Sequence, residues 1–241
     1  MKRLKNFLFL LMAVPIVAFA SEEGPKLDKA PINLSDQASL QRGARIFVNY
    51  CLNCHSAASM RYSRMEDLGL TEDQIKENLM FAAEKPGELM TVAMTKKNAK
   101  TWFGATPPDL SVIARARGAD WLYTYLRGFY RDDTRPTGWN NVVFDKVGMP
   151  HVLWSLQGEM VPVIKKEGEH EVIERLQLAK PGSVSLAEYD AMVGDLVNYL
   201  TWMGEPAQLQ RKQLGLIVLA FLAIFFVVAY YLKKEFWKDV H

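Results

Sequence analysis

Both cysteines of this 241-residue chain fall in one short run, Tyr50-Cys-Leu-Asn-Cys-His55. A C-x-x-C-H pattern is the attachment signature of c-type haem. Cys51 and Cys54 supply two thiols for the two vinyl groups, the two-residue spacer matches their separation, and the His55 imidazole coordinates the iron. Other chemistries fit these residues less well. Tetrahedral zinc wants four protein ligands, and the sequence holds no second cysteine pair and no paired histidines. A thioredoxin-type dithiol would follow a strand at the start of a helix, whereas the residues before Cys51 read as helix. A disulfide across three residues would close a loop too small to remove much unfolded-state entropy. One covalently attached haem c is the expected cofactor.

The motif needs elements to hold it. Ser35 is placed to cap a helix in which Leu40, Gly43, Phe47 and Cys51 share a face, and Gly43 lets another backbone come close. Near the other end, Ser185-Leu-Ala-Glu188 reads as a capping box, with Val184 and Tyr189 as its hydrophobic staple. That second helix carries Met192, Val193, Leu196, Tyr199, Leu200 and Met203 up to the break at Gly204-Glu-Pro206. Between them, alternation in 160–164 and 172–178 around Lys165-Lys-Glu-Gly168 predicts a β-hairpin within 159–181. The role of that insertion is not legible in the sequence.

Residues 1–20 combine a basic start (Lys2, Arg3, Lys5), an apolar stretch broken by Pro15, and Ala18-Phe19-Ala20 before polar residues. This is the pattern of a cleaved secretory signal peptide. A second apolar segment, Leu214 to Leu232, carries no charge over a length that spans a hydrocarbon core of about 30 Å. Arg211 and Lys212 precede it, and Tyr230, Tyr231, Lys233, Lys234 and Trp237 surround its end, as aromatic belts and cytoplasmic lysines do. The expected organisation is a leader (1–20), an extracytoplasmic haem domain (21–206), an anchor helix (207–232) and a cytoplasmic tail (233–241). Of 29 basic residues three lie in the leader, so 26 face 27 acidic ones in the remainder. A near-neutral surface gives no sign of nucleic-acid binding. It suits brief docking of a basic protein.

Gly43 and Phe47 against Leu196 and Tyr199 look like the crossing of the first and last helices in class I cytochromes c. Longer runs sharpen the likeness. Thr106-Pro-Pro-Asp-Leu-Ser111, Ile113-Ala-Arg-Ala-Arg117, Tyr125-Leu-Arg-Gly128, Val147-Gly-Met-Pro150 and Leu200-Thr-Trp-Met-Gly-Glu-Pro206, followed by one anchor helix, resemble cytochrome c1, the haem subunit of the bacterial-type cytochrome bc1 complex. The resemblance runs in order along nearly the whole chain. It implies a mostly α fold: a class I cytochrome c-like haem domain with the hairpin inserted, plus one C-terminal transmembrane helix.

The sixth iron ligand must be chosen among nine methionines beyond the leader and among histidines. Met149 follows Gly148, which allows close approach to the ring, and precedes the stiffening Pro150. The resemblance places the axial methionine there, with iron held by His55 and Met149. Met60, Met65, Met80, Met90 and Met94 are rivals in a more compact cytochrome, and His151 would give bis-histidine ligation and a lower potential. Arg115 and Arg117 could pair with haem propionates. By resemblance Arg117 holds a propionate and Pro108 packs on the haem. Trp102-Phe103 and Trp121 depart from the family pattern, where an asparagine and a tyrosine touch the haem.

The resemblance further implies an electron carrier in the inner membrane of a bacterium, its haem domain periplasmic. Its partners would be a cytochrome b subunit, a Rieske iron–sulfur subunit as electron donor and a cytochrome c as acceptor. No residue is expected to perform acid–base or nucleophilic catalysis. A stand-alone, membrane-anchored monohaem cytochrome feeding a terminal oxidase or reductase is the alternative.

Overall fold

A computed structural model describes residues 25–167 and 170–239; the leader at 1–20 lies outside the described residues. Helix α1 (Gln37–Ile46) starts one residue later than the sequence suggests. Asp36, not Ser35, is the cap, its carboxylate accepting from Ser39 N, because Asn33 Oδ1 engages Ser35 N at 3.1 Å and holds Ser35 in the preceding turn. At its far end α1 widens into a π-turn, Phe47–Cys51.

Helix α1 crosses a long helix near the end of the domain. The elements between are β1 (Ala57–Arg61), a 3-10 turn (Tyr62–Leu68), α2 (Glu72–Asn78), β2 (Leu89–Met90), α3 (Lys96–Phe103), α4 (Ile113–Arg117), α5 (Ala119–Arg127), β3 (Phe129–Arg131), β4 (Trp139–Asn141), α6 (Trp154–Gln157), β5 (Gly158–Glu167) and β6 (His170–Pro181). Then come α7 (Leu186–Gly204) and α8 (Gln208–Phe236). The strands form three separate antiparallel pairs, β1–β2, β3–β4 and β5–β6. The fold is mostly α, as expected.

The capping box at Ser185 is formed in full: Ser185 Oγ accepts from Glu188 N while Glu188 returns to Ser185 N. Such a cap stabilises a helix by about 1 kcal/mol. Downstream, Tyr189, Val193, Leu196, Val197 and Leu200 are buried at helical spacing and turn one face of α7 to the core. The crossing point is Gly43. A Cβ there would lie 2.1 Å from Asp195 O and 2.6 Å from Tyr199 Cβ, so only glycine permits this separation. Phe47 and Tyr199 rings meet beside it, centroids 5.6 Å apart. Arg42 seals the rim with a bidentate bond to Asp195, at 2.6 and 3.0 Å.

The predicted hairpin is present as β5 and β6, paired from Gly158–Pro181 to Glu167–His170 with two irregularities in register. Met160 at its base is buried, whereas Ile164 and Val172 further out are exposed. Helix α8 has 29 residues and none buried. At 1.5 Å per residue it is about 43 Å long, enough for a hydrocarbon core of about 30 Å.

Candidate functional site

The π-turn delivers the motif. Leu52 N donates to Phe47 O, and then Cys54 N and His55 N both donate to Cys51 O, coiling 51–55 tightly. Both cysteines are free thiols. Burial, with Cys54 alongside, pushes the Cys51 thiol up to about 12. His55 Nδ1 donates to the carbonyl oxygen of Pro108 at 2.8 Å, which fixes the tautomer and leaves the Nε2 lone pair for coordination. Burial lowers the His55 pKa against the opposing pull of Pro108 O and Asp109, which favours the neutral imidazole that a metal ligand requires.

A strap of residues locks this histidine's support. Leu110 N donates to Ser56 O at 2.8 Å. Ala58 N donates to Asp109 Oδ2 at 2.7 Å, and Ser59 N to Ser111 Oγ at 3.0 Å. Burial would raise the Asp109 pKa, but bonds from the Ala58 amide and from Ser111 prevail and hold it below the usual carboxylate range. Asp109 is a supporting residue that its lone position in a Pro-Pro-Asp turn did not reveal. Pro108 itself is exposed and serves here through its carbonyl.

Met149 belongs to a second group of residues. Tyr125 donates its hydroxyl to Met149 Sδ at 3.4 Å. The loop leading to Met149 hangs on two buried asparagines. Asn140 Oδ1 accepts from Asn141 N and Lys146 N, and its amide donates to Asp132 and Asp145. Asn141 Oδ1 accepts from Val143 N at 2.9 Å and its Nδ2 donates to Tyr125 O at 2.7 Å. A Cβ at Gly148 would meet no protein atom within 4 Å, so the room this glycine leaves is not filled by protein.

Five of the rival residues are packed within the protein. His151 is 2% exposed, stacked 4.8 Å from Phe129 and edge-on to Trp139, with its Nε2 2.7 Å from Gln157 Oε1. Met65 and Met90 are fully buried with their sulfurs toward the Tyr199 hydroxyl, at 3.7 and 3.9 Å. Met60 is buried too, and Met80 packs partly buried against the core.

The two arginines separate. Arg115 pairs with Glu205 at 3.6 Å, toward the end of α7. Arg117 has no carboxylate partner among the described residues; its guanidinium lies 5.0 Å from the Trp121 ring. Trp121 in turn stacks on Tyr125, centroids 4.8 Å apart. Arg117, Trp121, Tyr125 and Met149 therefore form one contiguous row. An open groove of about 430 Å³ runs past Arg117 and Trp121 to Leu27 and Ile32.

These donors suit a haem c. Two free thiols, an imidazole with one nitrogen pinned, a thioether retaining a lone pair and a guanidinium with no carboxylate partner among the described residues match its vinyls, iron and propionates. No group of three or more His, Cys, Asp and Glu able to hold a metal ion occurs among the described residues.

Comparison with known proteins gives the family. The chain is 51% identical to a protein named cytochrome c1 from Allochromatium vinosum, each covered in full. It is equally 51% identical, again over 100% of both chains, to a protein of Nitrosomonas europaea named ammonia monooxygenase gamma subunit. A solved chain from a hyperthermophilic respiratory complex III aligns over 100% of both chains with a TM-score of 0.49 and 14% identity. Residues 28–240 match the model of the Cytochrome C1 family, so the chain belongs to that family.

Proposed function

We propose that this protein carries single electrons on one covalently attached haem c, taking each from a Rieske iron–sulfur protein and passing it to a cytochrome c. The observation that supports this most is the pinned imidazole: His55 Nδ1 on Pro108 O leaves Nε2 to coordinate, directly after two free thiols. When bound, the haem supplies reversible one-electron chemistry. Cys51 and Cys54 would tether it, His55 and Met149 would ligate its iron, and Arg117 would hold a propionate in preference to Arg115, which Glu205 engages. A thioether ligand favours ferrous iron relative to a second nitrogen, which suits the high-potential end of a quinol-oxidising complex.

In this reading residues 1–20 are removed on export, the haem domain faces the periplasm, α8 anchors it through the lipid bilayer, and the C-terminus is cytoplasmic. Cytochrome b is its neighbour in the membrane. The test is a reduced-minus-oxidised spectrum of the gently solubilised, tagged protein. A c-type band reduced by ascorbate, with b-type bands appearing on dithionite in the same particle, is expected. A c-type band alone would move the protein to a free-standing carrier. Co-purification with a monooxygenase instead of a b-type cytochrome would give it the association that the Nitrosomonas europaea relative's name describes.

A further inference from the structure

We propose that Tyr125 sets the potential of the iron through Met149, acting as a hydrogen-bond donor to the axial sulfur. This rests on the reading of Met149 as the ligand. A thioether has two lone pairs; with one on iron, the other can accept from the phenol. The structure shows that acceptance, 3.4 Å from Tyr125 oxygen to Met149 sulfur.

The phenol is aimed by its surroundings. Its ring is stacked on Trp121 at an interplanar angle of 11° and meets the edge of Phe129 at 67°. Its backbone carbonyl accepts from Asn141 Nδ2, and Asn141 also organises the loop that carries Met149. Donor and acceptor are thus fastened to one another twice, through the asparagine and through the hydroxyl. Tyr125 is 9% exposed, so water competes little for the bond.

The sign follows from the chemistry. A hydrogen bond to the ligand sulfur draws electron density from it, weakens its donation to iron, and favours the ferrous state. Tyr125 therefore raises the potential. It is a positioning and tuning residue and does not touch the iron.

The experiment uses the full-length, haem-loaded protein in detergent and reads the midpoint potential together with the near-infrared charge-transfer band of ferric, thioether-ligated haem. Tyr125→Phe removes only the hydroxyl and should lower the ferrous-to-ferric ratio at fixed poise about threefold, or about 30 mV at 59 mV per tenfold for one electron. Placing 3-fluorotyrosine at position 125 makes the phenol more acidic and a stronger donor, and should shift the potential the other way. Opposite shifts support the proposal. Unmoved potentials, or shifts of one sign in both, would overturn it, the latter as a packing effect. If the Phe variant fails to fold, the fluorotyrosine protein decides alone: a rise supports and no change refutes. Met149→Leu separates the premise, since retention of the charge-transfer band in that variant would show another ligand, whatever Tyr125 does.

Discussion

Replacing Gly43 by alanine sets two known effects against each other. In an open helix the change stabilises by about 1 kcal/mol, because alanine loses less chain entropy. At this crossing the added methyl would sit 2.1 Å from Asp195 O, where ordinary contact begins at 3.4 Å, and the obstacle is backbone. Helices α1 and α7 must therefore part by about 1 Å, thinning the contact between Phe47 and Tyr199 and straining the Arg42–Asp195 bond. Overpacking of this kind costs about 3 kcal/mol, which leaves a net loss of about 2 kcal/mol. For a domain of this size each kcal/mol is worth about 2–4 °C, so the midpoint should fall by about 4–8 °C. Thermal unfolding of haem-loaded protein by circular dichroism measures it. Gly215→Ala serves as control, since its Cβ would meet nothing within 4 Å. A G43A midpoint equal to or above the parent's would refute the claim that this glycine sets the helix separation.

Three further outcomes are expected. Asp109→Ala strands the amides of Ala58 and Ser111 and should cost about 1–3 kcal/mol, seen as a lower urea midpoint with unchanged slope. Met149→Leu should abolish the ferric thioether charge-transfer band whereas His151→Leu, at a site caged by Phe129, Trp139 and Tyr189, should keep it despite lower stability; absence of the band from the parent protein, with loss of the low-spin spectrum in His151→Leu, would make His151 the ligand. Asp120 accepts from Ala30 N and Lys29, bonds that hold its pKa below the usual carboxylate range. Its contribution is accordingly present above the unfolded-state value and lost as pH falls through the depressed one. The protection factor of the Ala30 amide, the observed exchange rate set against the intrinsic rate at each pH, should fall in acid for the parent, and be low and nearly independent of pH in Asp120→Ala.

Elements that advertise themselves through local pattern were readable before any coordinates. The C-x-x-C-H run, the Ser185–Glu188 box, the alternation of 160–164 and 172–178, and the uncharged stretch at 214–232 each state their conformation within a few residues. Ser35 and Asp36 show the limit of that, since both are good caps and an Asn33 side-chain bond chose between them. The π-turn was hidden because nothing in Phe47–Cys51 distinguishes five-residue from four-residue hydrogen bonding. Asn140, Asn141 and Asp109 carry the site's loops, yet each reads in sequence as an ordinary turn residue. Their importance arises only when Tyr125, Ala58 and Lys146 are brought to them by the fold. Tyr125 opens the run Tyr125-Leu-Arg-Gly128, but its partner is 24 residues away and not on the same element.

The crossing of α1 and α7 also imposes a timetable. A chain emerging from its N-terminus presents Cys51 long before Asp195 and Tyr199 exist to cover α1, and contacts so distant in sequence are slow to form. Once they form, burial holds the Cys51 thiol at about 12, where little thiolate remains to attack a vinyl group. Under the proposed attachment of haem c, the Cys51 thiol is therefore more reactive before α7 covers α1 than after.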